Sequence, residues 1–332
     1  MKAYAAIDIG GTAIKYGLIA EDGTLLEKDK MPTEGWKGGP SILKKVLGIV
    51  ERYQNQVAGV CISTAGMVDI EKGEIFYAGP TIPDFKGTKF REAIQNQFGL
   101  PCEVENDVNC AGLAEAKFGA GKDASSVLCL TVGTGIGGCF VLNGEVFHGF
   151  SGSACEIGYM KIDSSNKNFQ ELGATSVLTD YIRRVKYRKA KDAERAAKRE
   201  AEEAGVAYVP VKTRTEHWSG KRVFEAAKEG DEDCIRGIER MCNSLGIGIS
   251  NICMVLNPEV VVLGGGVMAQ QEYLYPRIKA SIDRNLVVSI AEKTKLKFAE
   301  FQNSAGMVGA FYHYQWMRSR RIARGETVLP EK

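Results

Sequence analysis

The chain opens with a short apolar run, Tyr4 to Asp8, a break at Gly10-Gly11, and a second apolar run from Ile14 to Ala20 that ends at Asp22-Gly23. Apolar runs of this length bounded by glycine and by Asp-Gly predict strand, turn, strand. The same order returns at Val127 to Val132, Gly133 to Gly138, Cys139 to Leu142 and Asn143-Gly144, with Thr131 standing where Asp8 stands in the first copy. An internal duplication is therefore predicted.

Between and after these copies the periodicity alternates between helix and strand. Ile42 to Tyr53 has helical spacing, Val57 to Ser63 reads as a strand, and Phe90 to Phe98 reads as a helix closed by Gly99 with Pro101 beyond it. Cys102 to Glu105 is a strand that delivers Asn106-Asp107 at its carboxyl end. Ser244 to Leu256 places Leu245, Ile249, Ile252 and Leu256 on one helical face, Asn257-Pro258 stops it, and the strand Val260 to Leu263 runs into Gly264-Gly265-Gly266. This alternation predicts an α/β protein.

Two charged segments stand apart. Arg183 to Gly205 is dense in Lys, Arg, Glu and Ala, the pattern of a solvated helix, and the region 183–220 reads as an insertion without chemistry. Gln315 to Lys332 carries Arg318, Arg320, Arg321 and Arg324 and reads as a frayed basic tail, with too few cations for a nucleic-acid surface.

At 332 residues the chain exceeds the usual size of one core, so two domains with a cleft between them are expected. A formal net charge of +2 gives no reason to expect nucleic acid or an anionic membrane as partner. The start of the chain runs directly into a strand pattern without a secretory signal, which points to the cytoplasm. Nine cysteines, none in a Cys-x-x-Cys pair and most within apolar runs, read as buried reduced thiols.

The chemistry gathers at the glycine turns. Asp8, Gly10, Gly11, Thr12 and Lys15 combine a carboxylate at a strand end with glycines that let backbone N–H groups approach phosphate oxygens. Thr131, Gly133, Thr134 and Gly135 form the second such loop. Gly133 to Gly138 formally satisfies G-x-G-x-x-G, but Cys139 to Leu142 continues as a strand where a dinucleotide fold needs a helix. Asp107, at a strand end, is placed to take the proton of an attacking hydroxyl during in-line phosphoryl transfer. An Asn-Asp pair at a strand-to-helix junction also fits a helix N-cap.

Asp8 to Lys15, Glu105-Asn-Asp107, Thr131 to Gly138, Glu156-Ile-Gly158, Val261 to Gly266 and Ala305 to Ala310 occur in the order found in the ROK family of sugar kinases and sugar-responsive repressors, which the chain resembles over nearly its whole length. The resemblance implies a duplicated actin-like (ribonuclease-H-like) two-domain sugar kinase fold with an interdomain cleft. One domain would span 1–118, with the helix near 305–318 packing back on it, and the other 119–304. It implies ATP and Mg2+, with Asp8 near the metal, and a homodimer. By the same analogy Asp107 is the base, Asn106 and Glu156 bind sugar hydroxyls, and Gly265 and Gly266 lie near the adenosine.

The chain departs from that family's usual pattern on the sugar side. Tyr159 stands where a His is common, and the stretch from Asp163 to Glu171 lacks the cysteines of a structural zinc motif, so a zinc-free member is expected. Glu171 looks equivalent to the Glu that closes that motif, and Gly66 lies where a Pro-Gly pair is usual. Zinc-free members of this appearance resemble β-glucoside kinases, acting on the 6-hydroxyl of a glucosyl unit in glucose or a β-glucoside such as cellobiose. The alternatives are an N-acetylmannosamine-type kinase and a non-catalytic sugar-sensing regulator. The regulators of the family carry a DNA-reading module ahead of the core, for which no segment precedes Asp8.

Overall fold

The computed structural model describes residues 2–209, 217–301 and 304–331. In the first half, β1 (Ala3–Ile9), β2 (Ala13–Ala20) and β3 (Leu25–Pro32) form a meander, and α1 (Gly39–Tyr53) crosses to β4 (Val60–Thr64). A small hairpin of β5 (Met67–Asp69) and β6 (Glu74–Tyr77) precedes α2 (Phe90–Phe98), β7 (Cys102–Asn106) and α3 (Asp107–Phe118).

The second half opens with β8 (Ser126–Val132), β9 (Ile136–Leu142) and β10 (Glu145–Val146). Four helices follow: α4 (Gln170–Gly173), α5 (Thr175–Glu203), α6 (Gly220–Lys228) and α7 (Glu232–Leu256). The chain then runs through β11 (Val260–Gly264), α8 (Gln271–Asn285), α9 (Val288–Ala291) and β12 (Lys295–Phe298) to α10 (Ala305–Ala323).

The duplication is visible in the topology. The two five-stranded sheets have equivalent strand orders, β3-β2-β1-β4-β7 and β10-β9-β8-β11-β12. In each, the meander is antiparallel and the crossover strands are parallel. Asp8 pairs with Lys15 on one side and Ser63 on the other, while Thr131 pairs with Gly137 and Gly264. The central parallel strands β4 and β11 are buried at every position, as expected for strands covered on both faces.

Two helices join the sheets. α3 leaves the first sheet and packs on β8 and β9 of the second, while α10, at the end of the second half, packs on β1, β4 and β7 of the first. They cross each other so closely that a Cβ on Gly309 would lie 1.8 Å from the Cys110 carbonyl oxygen. A Cβ on Gly112 of α3 would lie 2.6 Å from Cys139 Sγ on β9. Glycine is required at the first contact because backbone, not a movable side-chain tip, occupies it, and at the second the Cys139 side chain fills the space.

The charged segment has the solvated character its composition predicts. α5 begins with buried Leu178 and Ile182, and from Lys191 to Glu200 every residue is exposed. Lys186 ties the base of that helix to Asp231 and Asp233. Residues 210–216 of the insertion lie outside the described residues. The helix predicted from Ser244 is longer, starting at Glu232 with Asp231 as its N-cap.

The end of the chain corrects the expectation of a frayed tail. Gln315 to Ala323 continue α10, and the Arg321 Nε donates to Glu103 Oε1 at 2.9 Å, beside the buried Arg91–Glu103 pair. Glu331 then accepts from Lys2, Tyr4 and Tyr314. Arg320, Arg321 and Arg324 pair with Glu71 of the β5–β6 hairpin, Arg321 also with Glu103 of β7, and Arg318 with Glu331, so they anchor the helix.

Gly309→Ala should lower stability by roughly 2–3 kcal/mol, because the added methyl must push two backbones apart. Gly48→Ala, at an exposed position of α1 where a Cβ meets nothing within 4 Å, should raise stability by about 0.5–1 kcal/mol. Chemical denaturation of both variants beside the parent checks the opposite signs.

Candidate active site

Asp8 lies at the carboxyl end of β1, 8% exposed. Ser63 Oγ donates to its Oδ1 at 2.8 Å and Lys15 Nζ to its Oδ2 at 3.3 Å. The first turn of α10 closes over it: a Cβ on Gly306 would lie 2.4 Å from Asp8 Oδ1. A carboxylate at a helix N-terminus is favourably placed by the helix dipole. Beside it the Gly10 N–H donates to the Ala13 carbonyl, while Thr33 braces the loop through the carbonyls of Gly10 and Thr12. Gly11 and Thr12 remain exposed at the loop tip.

The strand-to-helix junction shows which member of Asn106-Asp107 caps α3. Asn106 is the N-cap of α3, with extended backbone, and its Oδ1 accepts the N–H groups of Val108 and Asn109. Its Nδ2 donates to the Gly66 carbonyl at 2.9 Å and to Asp107 Oδ1 at 3.1 Å. Asp107 is therefore the first helical residue, half-buried, with its Oδ1 also accepting the Val108 N–H. Burial and then the Asp8 charge push its carboxyl up to about 7, against helix N–H groups that pull the other way. A carboxylate poised near neutrality suits general-base work.

The second hairpin approaches this junction from the other sheet. A Cβ on Gly137 would lie 2.6 Å from Val108 Cγ2, so β9 abuts the first turn of α3. Gly133 N–H donates to the Gly135 carbonyl within the loop, and Ser176 holds the loop from α5, its Oγ donating to the Thr134 carbonyl at 2.6 Å. Thr131 sits on the strand opposite Gly137. A cavity of about 610 Å³ opens beside the loop, lined by Gly133, Thr134, Ser176, Lys221, Phe224 and Gly266 among others. Gly265 closes in on β8 at φ 117°, where a Cβ would lie 2.1 Å from the Val132 carbonyl oxygen, so only glycine fits.

Gly66 joins Asn106 through the hydrogen bond above. Glu156 and Tyr159 share one turn, Ile157–Tyr159, in which Tyr159 N–H donates to the Glu156 carbonyl. That turn is pressed onto the second glycine hairpin, since a Cβ on Gly158 would lie 2.2 Å from the Ile136 carbonyl oxygen. Both side chains are exposed, and partial desolvation raises the Glu156 carboxyl above its ordinary value. Glu171 is occupied differently: its Oε2 accepts the Asn168 N–H while its own N–H donates to Asn168 Oδ1, a reciprocal cap at the start of α4.

Several supports carried no local sequence signal. Ser63 and Ser176 hold Asp8 and Thr134 from distant elements, and Gln170 lies beside Gly135, 2.5 Å from a Cβ placed there. Directly behind Asn106, Glu105 is buried with His148 Nε2 at 2.5 Å and His313 Nδ1 at 3.3 Å from its Oε2. Burial alone would raise the Glu105 carboxyl, but the two imidazoles and the Asn106 N–H outweigh it and hold the group well below the usual range. Burial drives His313 down to about 4.

The sequence profile of the ROK family matches residues 4–316. An uncharacterized protein of Clostridium perfringens is 44% identical over 95% of this chain and 98% of its own length. A β-glucoside kinase of Klebsiella pneumoniae is 30% identical over 93% and 95%. The crystal structure of a ROK family glucokinase from Streptomyces griseus, in complex with glucose and AMPPNP, superposes with a TM-score of 0.75 at 26% identity, covering 93% of this chain and 97% of that one.

Asn106→Ala should cost about 1 kcal/mol through loss of the cap, whereas Asn106→Ser should retain most of that stability while losing the amide donor to Gly66. Urea denaturation of the two variants separates capping from any part Asn106 plays in ligand binding.

Proposed function

The chain belongs to the ROK family, and from that premise we propose that it transfers the γ-phosphoryl group of ATP to a sugar hydroxyl with Asp107 as the base. The observation that carries this reading is the placement of Asp107, half-buried at the first turn of α3, where burial and the nearby Asp8 charge raise its carboxyl. Asn106 takes over capping, which leaves Asp107 to receive a proton. Its fold is the duplicated actin-like two-domain sugar kinase fold.

In this reading residues 1–118 with α10 form one lobe, and 119–304 the other, with the sugar and ATP between them. Asn106, Glu156, Tyr159 and the Gly66 carbonyl orient the sugar so that one hydroxyl reaches Asp107. Asp107 withdraws that proton as the oxygen attacks phosphorus and the ADP oxygen leaves on the far side. Backbone N–H groups of Gly10 to Thr12 and of Gly133 to Gly135 hold phosphate oxygens. Lys15 adds positive charge.

The cavity beside Gly133 and Gly266 has room for the nucleoside. Asp8 fits a phosphate-bound magnesium ion, since that metal takes one or two carboxylates with phosphate oxygens as its remaining ligands. The metal would neutralise charge that develops on the transferring group. Closure of the lobes excludes water and favours the sugar over hydrolysis. No cysteine-bound zinc belongs to this reading, because residues 163–171 offer no Cys or His ligand.

We assign the acceptor as the 6-hydroxyl of a glucosyl unit, in glucose or a β-glucoside such as cellobiose. The support is the relationship to the Klebsiella pneumoniae β-glucoside kinase together with Tyr159 at the sugar loop. A cytoplasmic homodimer accords with the family resemblance.

ADP release coupled to ATP-magnesium should depend on glucose or a β-glucoside. Preference for N-acetylmannosamine would reassign the substrate, and an absence of turnover with every sugar tested would leave a regulator. Asp107→Asn should reduce turnover by about 10²–10⁴-fold while nucleotide binding persists. Because the base must be ionised, kcat/KM should rise with pH and level off above about 7. A flat profile across that range would contradict the assignment.

A further inference from the structure

Two histidines and a glutamate meet behind the catalytic strand end, each from a different element. Glu105 belongs to β7, His148 to the loop after β10 that leads to Glu156, and His313 to α10. One ligating atom from each lies within 4.8 Å of the other two. We propose that Glu105, His148 and His313 form a binding site for one divalent transition-metal ion of the zinc or cobalt class.

The donor set suits that class. Imidazole with a single carboxylate binds zinc, cobalt and iron, whereas magnesium and calcium prefer all-oxygen shells. Bonds of about 2.0–2.1 Å in tetrahedral geometry place ligand atoms about 3.3 Å apart. His313 Nδ1 already stands 3.3 Å from Glu105 Oε2. His148 Nε2, at 2.5 Å, needs only a small outward shift to admit an ion.

The surroundings supply what a metal centre needs beyond its ligands. The second Glu105 oxygen accepts the Asn106 N–H at 2.7 Å and Asn109 Nδ2 at 3.1 Å, which fixes the carboxylate. His313 is 1% exposed, and its Nε2 has no hydrogen-bond partner among the described residues. A cavity of about 280 Å³, lined by both His148 and His313, gives an ion an entry path and room for a water as fourth ligand. Arg91 and Arg321 are the nearby cations, and both are engaged by Glu103.

Such an ion would clamp β7, the loop that carries Glu156 and α10 directly behind Asn106 and Asp107. The site uses none of the 163–171 stretch, so it is independent of the missing cysteine motif. It is also independent of the sugar-kinase reading, because its test reads metal binding.

The test takes the full chain after chelator treatment and titrates it with Co2+ and with Zn2+ in excess Mg2+, by calorimetry and by the visible absorption of four-coordinate Co2+. One ion per chain is expected. His148→Gln and His313→Gln should each weaken binding more than the about 100-fold seen when an outer-shell partner is lost. Cys155→Ser, which removes the one cysteine that is not buried, and Asp8→Asn should bind as the parent does. No saturable binding would overturn the proposal, as would binding unchanged in His148→Gln or abolished in Cys155→Ser. His148 lies at the rim of the cluster, so its variant decides the question even if replacing buried His313 disturbs folding.

Discussion

The crossing of α3 and α10 sets the geometry of the whole molecule. Gly309 brings the two backbones into contact at Cys110, and each helix covers the sheet that the other half of the chain built. Both helices carry site chemistry at their first turns. α3 starts with Asp107, and the start of α10 closes over Asp8 through Gly306. A single close contact between helices therefore fixes where the carboxylates of Asp8 and Asp107 stand relative to the glycine hairpin of the second sheet. The raised Asp107 carboxyl follows from that placement, through burial and the nearby Asp8 charge.

The elements that the sequence revealed are those written in local chemistry. Glycine turns after short apolar runs marked both hairpins, and Thr131 occupies in the second sheet the register position that Asp8 occupies in the first. The position of Asp107 at a strand end was equally legible. Which member of Asn106-Asp107 caps the helix was not, because the two residue types cap almost equally well. Only the backbone geometry assigns the cap to Asn106.

Features that depend on distant partners were hidden. The arginines of 315–324 look like a loose tail in composition, yet Arg321 is committed to Glu103 and the helix is packed. Ser63 and Ser176 are ordinary residues in sequence and become supports of Asp8 and Thr134 only after folding. The grouping of Glu105 with His148 and His313 joins three elements that no periodicity links. Glu171 illustrates the opposite case, where a residue singled out by resemblance has a local job as partner of Asn168.

In the proposed reaction a sugar hydroxyl, and not water, is the phosphoryl acceptor. Phosphorus NMR of a reaction containing ATP-magnesium and cellobiose or glucose follows the fate of the γ-phosphoryl group directly. The expected product is a new phosphomonoester coupled to the primary C6 protons of the glucosyl unit, with inorganic phosphate a minor product. ATP consumption that yields only inorganic phosphate, unaffected by the sugar, would contradict it.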